Sequence, residues 1–214
     1  MARITVLGGT GYTGSAVARE AQRRGHDVVV VSRNRPADPL PGVTYTPGSV
    51  LDPDFLETVV AGSDIVFESV APRGEMAGKE EGLVERLIAL TAGTGIRLGV
   101  MGGASSLLVA PEGPRLYDVG TVPEPVRLEV ETGISLLEML KNSPENVDWF
   151  YVSPPVSFGV WAPAEEKGSY RLSDDILLAD AEGKSTISAA DLALAVLDEI
   201  EEPRYRRRRF HAAH

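Results

Sequence analysis

Gly8-Gly9-Thr10-Gly11-Tyr12-Thr13-Gly14 decides how this chain is read. The stretch follows an apolar run, Arg3–Leu7, with the pattern of a β-strand, and it opens an amphipathic stretch from Tyr12 to about Arg24 with the pattern of a helix. Gly8, Gly11 and Gly14 satisfy G-x-x-G-x-x-G, while Gly9, Gly11 and Gly14 satisfy G-x-G-x-x-G. The physical demand is the same in both frames. One glycine takes a backbone angle that other residues avoid, one lets the main chain approach a pyrophosphate, and one lets helix and strand pack closely. The helix N-terminus then offers free N–H groups and a positive dipole end to that pyrophosphate. Glycines alone are a weak signal; between a strand and a helix they indicate a dinucleotide site.

Outward from this turn the chain alternates strands and helices. Val28–Val31 is four valines in a row, the pattern of a central parallel strand buried on both faces. Val43–Thr46 is a shorter strand. Asp52 caps a helix that has Pro53 at its first position. Asp64–Val70 and Ile96–Met101 are strands on either side of a helix at Lys79–Ala92. Such alternation implies right-handed crossovers and a doubly wound sheet. The second half is less regular. Ala110–Pro125, with four prolines, reads as a loop, Val126–Asn142 as a helix and Val147–Val152 as a strand. A hairpin is expected around Tyr170–Leu172 and Ile176–Leu178. The last helix is capped by Ser188 and repeats Leu192, Val196 and Ile200 on one face. The expectation is an α/β fold: one Rossmann-like domain over residues 1–214, a doubly wound parallel sheet with a small C-terminal lobe from about 153–187 on the substrate side.

The 214 residues suit one domain, and the net charge of −10 repels phosphate backbones and anionic lipid, so neither nucleic acid nor membrane is an expected partner. With no cysteine, disulfides, thiolate nucleophiles and Cys-bearing metal sites are excluded. Three histidines, two of them in the last four residues, make a metal centre or a Ser-His-Asp triad hard to assemble, and no metal is expected. Ile4–Leu7 is too short for a signal peptide, and no segment reaches the ~18–20 apolar residues of a membrane span. The expected location is the cytoplasm, and the expected state a monomer or weak homodimer.

The end of the second strand selects the dinucleotide. NAD-preferring sites place an acid there, on the ribose 2′-hydroxyl. Here the strand ends Val30-Val31-Ser32-Arg33-Asn34-Arg35, without an acid, and Arg33 lies 19 residues after Gly14, where the 2′-position falls. A guanidinium at that point pairs with a 2′-phosphate, and Arg35 adds a second contact. NADPH is therefore preferred over NADH.

Gly8–Gly14, the strand ending at Arg33, and Met101-Gly102-Gly103-Ala104-Ser105-Ser106-Leu107 resemble the atypical short-chain dehydrogenase/reductases. Within these the chain is most similar to the NAD(P)H-binding group provisionally named NADH–flavin reductases, related to biliverdin-IXβ/flavin reductases and NmrA-like proteins. The resemblance extends over nearly the whole chain, including Asp148–Pro155 and Gly168–Leu172. It implies that Thr10, Tyr12, Thr13 and Gly14 hold the pyrophosphate and that Ser32 and Arg33 meet the adenosine ribose. It also implies Val50 and Leu51 beside the adenine, and Val70, Ala71, Pro72, Met101 and Gly102 under the nicotinamide ribose. Gly103, Ser153 and Pro154 complete the expected cofactor set. One departure is Gly48-Ser49, where such proteins usually carry Gly-Asp, which removes a polar contact to the adenine.

Short-chain dehydrogenases that act on alcohols and ketones use a Tyr-x-x-x-Lys pair for proton transfer. No tyrosine here has a lysine four residues on. Hydride transfer to a flavin or quinone is less demanding, because the acceptor is an electron sink and water can provide the proton. An NADPH-dependent reductase of FMN, another flavin or a similar planar acceptor is thus expected. Ser105 and Ser106, at the C-terminal edge of the sheet, are the candidate catalytic residues; a hydroxyl there either hydrogen-bonds an acceptor oxygen or caps the next turn. Arg73 and Glu75 either cover the cofactor or belong to a solvated loop, and Phe158 and Trp161 either stack on a planar substrate or pack under the lobe. The run Arg204–Arg209, with five arginines, reads as an edge strand or tail facing Glu199–Glu202. A non-catalytic NADP(H)-binding regulator is the alternative, and a cofactor-dependent epimerase or isomerase the most remote one.

Overall fold

The computed structural model describes residues 1–214. Eight strands form one sheet in the order β3-β2-β1-β4-β5-β6-β8-β7. They are β1 (Arg3–Leu7), β2 (Asp27–Ser32), β3 (Thr44–Pro47), β4 (Ile65–Glu68), β5 (Arg97–Met101), β6 (Asp148–Ser153), β7 (Arg171–Ser173) and β8 (Arg208–Ala213). Every neighbouring pair is parallel except β7 with β8. The helices are α1 (Tyr12–Arg23), α2 (Pro53–Val60), α3 (Glu80–Thr91), the single turn α4 (Leu116–Val119), α5 (Arg127–Lys141) and α6 (Ala189–Glu201), with 3-10 turns at Gly74–Met76 and Glu124–Val126. The architecture is thus a Rossmann-like doubly wound sheet. No helix is long and apolar enough to cross a membrane.

Alternation along the strands builds two cores. Ile4, Val6, Val28, Val30, Phe67 and Phe150 face α1 and α6, against Val17, Ala21, Leu192 and Val196. Leu7, Val29, Val31, Val66, Leu98 and Tyr151 face the other way, onto Leu56 of α2, Leu83 and Leu87 of α3, and Leu136 and Leu140 of α5. Burial on both faces is what the unbroken valine run of β2 calls for. The caps at Asp52, which accepts from the N–H groups of Asp54 and Phe55, and at Ser188, which accepts from that of Asp191, sit where the sequence expects them.

Three local expectations are corrected. Strand β4 ends at Glu68 rather than Val70, because the Glu68 carboxyl takes the Val70 N–H at 2.7 Å and turns the chain out of the ladder. Residues 170–178 form no hairpin: β7 pairs with β8 from the end of the chain, while Ile176 bridges to Leu108. The arginine run is neither an edge nor a tail, since β8 lies between β6 and β7. Arg206 pairs with Asp148, Arg208 with Asp174 and Arg209 with Asp175, and Arg207 donates to the carbonyls of Ser143, Pro144 and Val147. Of the run's arginines only Arg204 meets the acidic Glu199–Glu202 stretch, beside the Tyr205 N–H, which donates to Glu199.

Candidate functional site

Strands β1 and β4 are neighbours from which the chain winds away in opposite directions, which makes their C-terminal ends the switch point where open α/β sheets bind ligands. The glycine-rich turn sits at this switch point. Gly8 has φ +75°, and both Gly8 and Gly9 donate to the Val31 carbonyl, at 2.9 and 3.3 Å. A Cβ on Gly14 would lie 2.5 Å from the Gly8 oxygen and 2.6 Å from the Ser69 hydroxyl, which closes this position to any larger residue. Gly11 precedes α1 without a side-chain cap. The Tyr12, Thr13 and Gly14 N–H groups have no acceptor within the protein. Free donors at a helix N-terminus beside a close-packed glycine cradle fit a dinucleotide pyrophosphate.

The rim on the adenosine side is charged. Ser32 Oγ donates to the Asn34 carbonyl at 2.7 Å and shapes the turn that presents Arg33, Asn34 and Arg35 to solvent. Arg33 is 73% exposed, and its Nη1 lies 3.3 Å from Glu75 on the turn after β4. Arg73 on the same segment grips Glu129 of α5 with two contacts of 2.6 Å. Beyond β3, the Leu51 N–H donates to Ser49 Oγ at 3.3 Å, and Val50 packs against the α2 side of the core. Ser49 thus serves the turn itself.

The rim on the other side is apolar at the surface and polar beneath. A Cβ on Gly102 would clash with the Tyr151 ring, so β5 must leave the sheet through glycine. Tyr151 Oη accepts from the Gly103 N–H at 3.1 Å and donates to the Gly133 carbonyl at 2.7 Å, which ties this bend to α5. Below it, Glu68 and Glu80 are buried, and one oxygen of each has no partner. Burial pushes the Glu68 carboxyl up, and burial together with the charges of Glu68, Glu81 and Glu129 pushes Glu80 up, so both favour the protonated form. Glu68 holds the Val70 N–H, and Ser69 Oγ donates to the Leu7 carbonyl at 2.8 Å, so the Ser69–Pro72 segment leaves β4 from a fixed base. At the end of β6, the Ser153 hydroxyl is buried without a partner and Pro154 is buried. His211 Nδ1 donates to the Ser153 carbonyl at 2.8 Å, and burial lowers the affinity of this ring for a second proton.

Ser105 and Ser106 follow the Gly102-Gly103 bend. Ser106 is buried, and its Oγ accepts from Arg209 Nη1 at 2.8 Å in a chain that continues to Asp175. Ser105 carries no side-chain bond, and its carbonyl accepts from the Tyr117 N–H at 2.9 Å. Phe158, from the loop after β6, meets Tyr12 edge to face at a ring separation of 5.2 Å, which brings that loop over the first turn of α1. Trp161 stays 65% exposed.

The residues singled out in the sequence therefore gather at one edge of the sheet, at the ends of β1, β2, β4, β5 and β6, with Val50 and Leu51 after β3. Sequence reasoning missed the Glu68–Glu80 pair, the Tyr151 tie and His211. A signal for the first was present: Glu68 closes an otherwise apolar strand, Ile65-Val66-Phe67.

A family model described as NAD(P)H-binding matches residues 8–203. The uncharacterized protein YwnB of Bacillus subtilis (strain 168) is 33% identical over 218 residues, covering 97% of this chain and 96% of YwnB. Among solved structures, a provisionally named NADH-flavin reductase from Streptococcus pneumoniae TIGR4 superposes with a TM-score of 0.89 at 26% identity, covering 100% of both chains. A provisionally named epimerase from Bacteroides thetaiotaomicron superposes with a TM-score of 0.85 at 30% identity, covering 100% of this chain and 97% of that one.

Proposed function

The chain belongs to the NAD(P)H-binding family, and from that premise we propose that it is an NADPH-dependent oxidoreductase that passes a hydride to a flavin or a related planar acceptor such as a quinone. The observation that carries the cofactor half is the pairing of the free N–H groups of Tyr12, Thr13 and Gly14 with Arg33 at the end of β2, where Val30–Arg35 holds no acid. The backbone donors of the turn hold the pyrophosphate. The Arg33 fork takes the 2′-phosphate, with Arg35 beside it. When bound, a reduced nicotinamide supplies a hydride. Val70, Ala71, Pro72, Met101, Gly102, Gly103, Ser153 and Pro154 form the wall against which that ring is oriented, and the ties through Glu68 and Tyr151 keep the wall rigid. The acceptor lies on the Ser105 side, where a free hydroxyl is available for one of its oxygens. Its proton comes from water, since no tyrosine carries the Tyr-x-x-x-Lys pair. The same lack argues against ketone reduction and against epimerisation.

A non-catalytic NADP(H)-binding regulator is favoured by one observation: Arg209 already occupies the Ser106 hydroxyl, leaving Ser105 as the only candidate serine with a free side chain. Steady-state oxidation of NADPH with FMN, riboflavin or a small quinone separates the two readings. Turnover above a cofactor-only blank is expected, and its absence with every acceptor would sink the enzyme. Arg33→Ala is expected to weaken NADPH binding about 10- to 100-fold and NADH binding little, as loss of a charge-assisted contact implies. Equal losses would refute the preference for the phosphorylated cofactor.

A further inference from the structure

No acidic side chain lies between Val30 and Arg35 in sequence, yet a carboxylate stands at the end of β2 in space. Glu75, in the turn Gly74–Met76 after β4, sets its Oε2 3.3 Å from Arg33 Nη1. Strands β2 and β4 flank β1, so this contact reaches across the strand that carries the glycine-rich turn. The turn bearing Glu75 is itself held, because Arg73 binds Glu129 of α5 through two hydrogen bonds. We propose that Glu75 is a second selector of the adenosine-ribose pocket, competing with a 2′-phosphate for Arg33 and accepting from a 2′-hydroxyl when no phosphate is present. This inference rests on the reading of Arg33 as the partner of the 2′-phosphate.

A guanidinium presents its donors in a fixed plane, so an anion that takes Nη1 arrives where the Glu75 carboxylate now lies. A 2′-phosphate must displace Glu75 from Arg33, and the Arg73–Glu129 grip keeps the displaced carboxylate nearby, where it repels the phosphate. A 2′-hydroxyl instead brings a donor to that carboxylate. This is the contact an acid at the end of the second strand makes in NAD-preferring sites, here supplied from the loop of another strand. Glu75 therefore narrows the preference that Arg33 alone would set, and removing its charge widens it.

The test uses ligands that undergo no redox chemistry. Binding of adenosine 2′,5′-bisphosphate and of adenosine 5′-monophosphate to the full chain is measured by calorimetry at fixed ionic strength. Glu75→Gln is expected to tighten the bisphosphate about five- to tenfold and to weaken the monophosphate about two- to threefold. Arg73→Ala, which frees the turn, is expected to give a smaller shift in the same direction. In an Arg33→Ala background, Glu75→Gln is expected to tighten the bisphosphate less than in the parent chain, by about twofold or below, because the competition for Arg33 is gone and only the repulsion remains. The Glu75 side chain is 54% exposed, so a melting curve matching that of the parent chain is expected and shows that the fold is intact. Shifts equal for the two ligands, or none, while Arg33→Ala still discriminates between them, would overturn the role of Glu75 alone. If Arg33→Ala weakens both ligands equally, the reading of Arg33 falls and the role of Glu75 falls with it.

Discussion

At the N-terminal edge of the sheet, Arg24 donates to Glu20, Asp198 and Glu201, and His26 accepts from the Ala2 N–H while its other nitrogen donates to Glu201. On the same edge, Arg97 lies buried against Glu199, which also accepts from the N–H groups of Arg204 and Tyr205. The C-terminal edge is built differently. There, oxygens of Glu68, Glu80 and Ser153 are buried without partners, and the first N–H groups of α1 face no acceptor. Both edges carry charge and both hold buried polar atoms without a hydrogen bond, but at the first edge Arg97 Nε and Asp148 Oδ1 face each other as an ion pair at 3.5 Å, while the second leaves its groups available to a ligand or a proton. In an open α/β sheet the second is the ligand edge and the first a brace.

The strongest way to break this contrast is to disarm the brace. Arg97 sits over the Phe150 ring at 4.6 Å and donates to the Glu199 backbone at 2.7 Å as well as to its carboxylate. Arg97→Ala leaves a buried carboxylate with only two backbone donors, and a stability loss of about 3–5 kcal/mol is expected by urea denaturation. Affinity for the cofactor should not change at temperatures where the variant is folded. A loss of binding comparable to the loss of stability would mean that the two edges are not separable.

Gly14→Ala tests the other edge. Its Cβ would meet the Gly8 oxygen and the Ser69 hydroxyl inside 2.7 Å, so either α1 shifts away from the turn or Ser69 gives way. Cofactor affinity is expected to fall about tenfold or more as the N–H groups lose their aim, with a stability change of about 1–3 kcal/mol. Fluorescence titration with NADPH reads the first and thermal melting the second. Unaltered affinity would remove the glycine turn from the binding site.

The sequence made the binding edge legible because its signals are local. A glycine turn between a strand and a helix, a valine run and two capped helices each lie within a dozen residues, where periodicity and spacing operate. What stayed hidden depends on residues far apart along the chain. Nothing near Arg206, Arg208 or Arg209 shows that Asp148, Asp174 and Asp175 receive them, so a packed internal strand reads as a solvated tail. The pairing of β7 with the chain terminus is hidden for the same reason, since Tyr170–Leu178 has the turn chemistry of a hairpin and lacks only the partner. Glu68 illustrates the middle case: its place after three apolar residues is visible, but its meaning depends on Glu80 reaching the same buried layer from α3.

The Glu68–Glu80 pair sharpens the contrast through pH. At the bracing edge, Arg23 and Arg24 hold Glu20 below the ordinary carboxyl value of 4.5 against the effect of its burial. Stability from that group is present above about pH 4.5 and is lost as pH falls through the lowered value. At the ligand edge the sign reverses. Burial raises Glu68 above 4.5, and burial with neighbouring charge raises Glu80. Their contribution is complete below about pH 4.5 and is lost as pH climbs through the raised values, because the unfolded chain then releases protons that the fold retains. Replacing both by glutamine keeps the neutral form, and a glutamine oxygen can still accept from Val70. The double variant is therefore expected to exceed the parent chain in stability by about 1–3 kcal/mol at pH 8, with a much smaller difference at pH 5. Urea denaturation at pH 5, 6.5 and 8 reads the change directly. A difference that does not vary with pH would mean that both carboxyls ionise in the fold as they do in water, and the ligand edge would then hold no proton of its own.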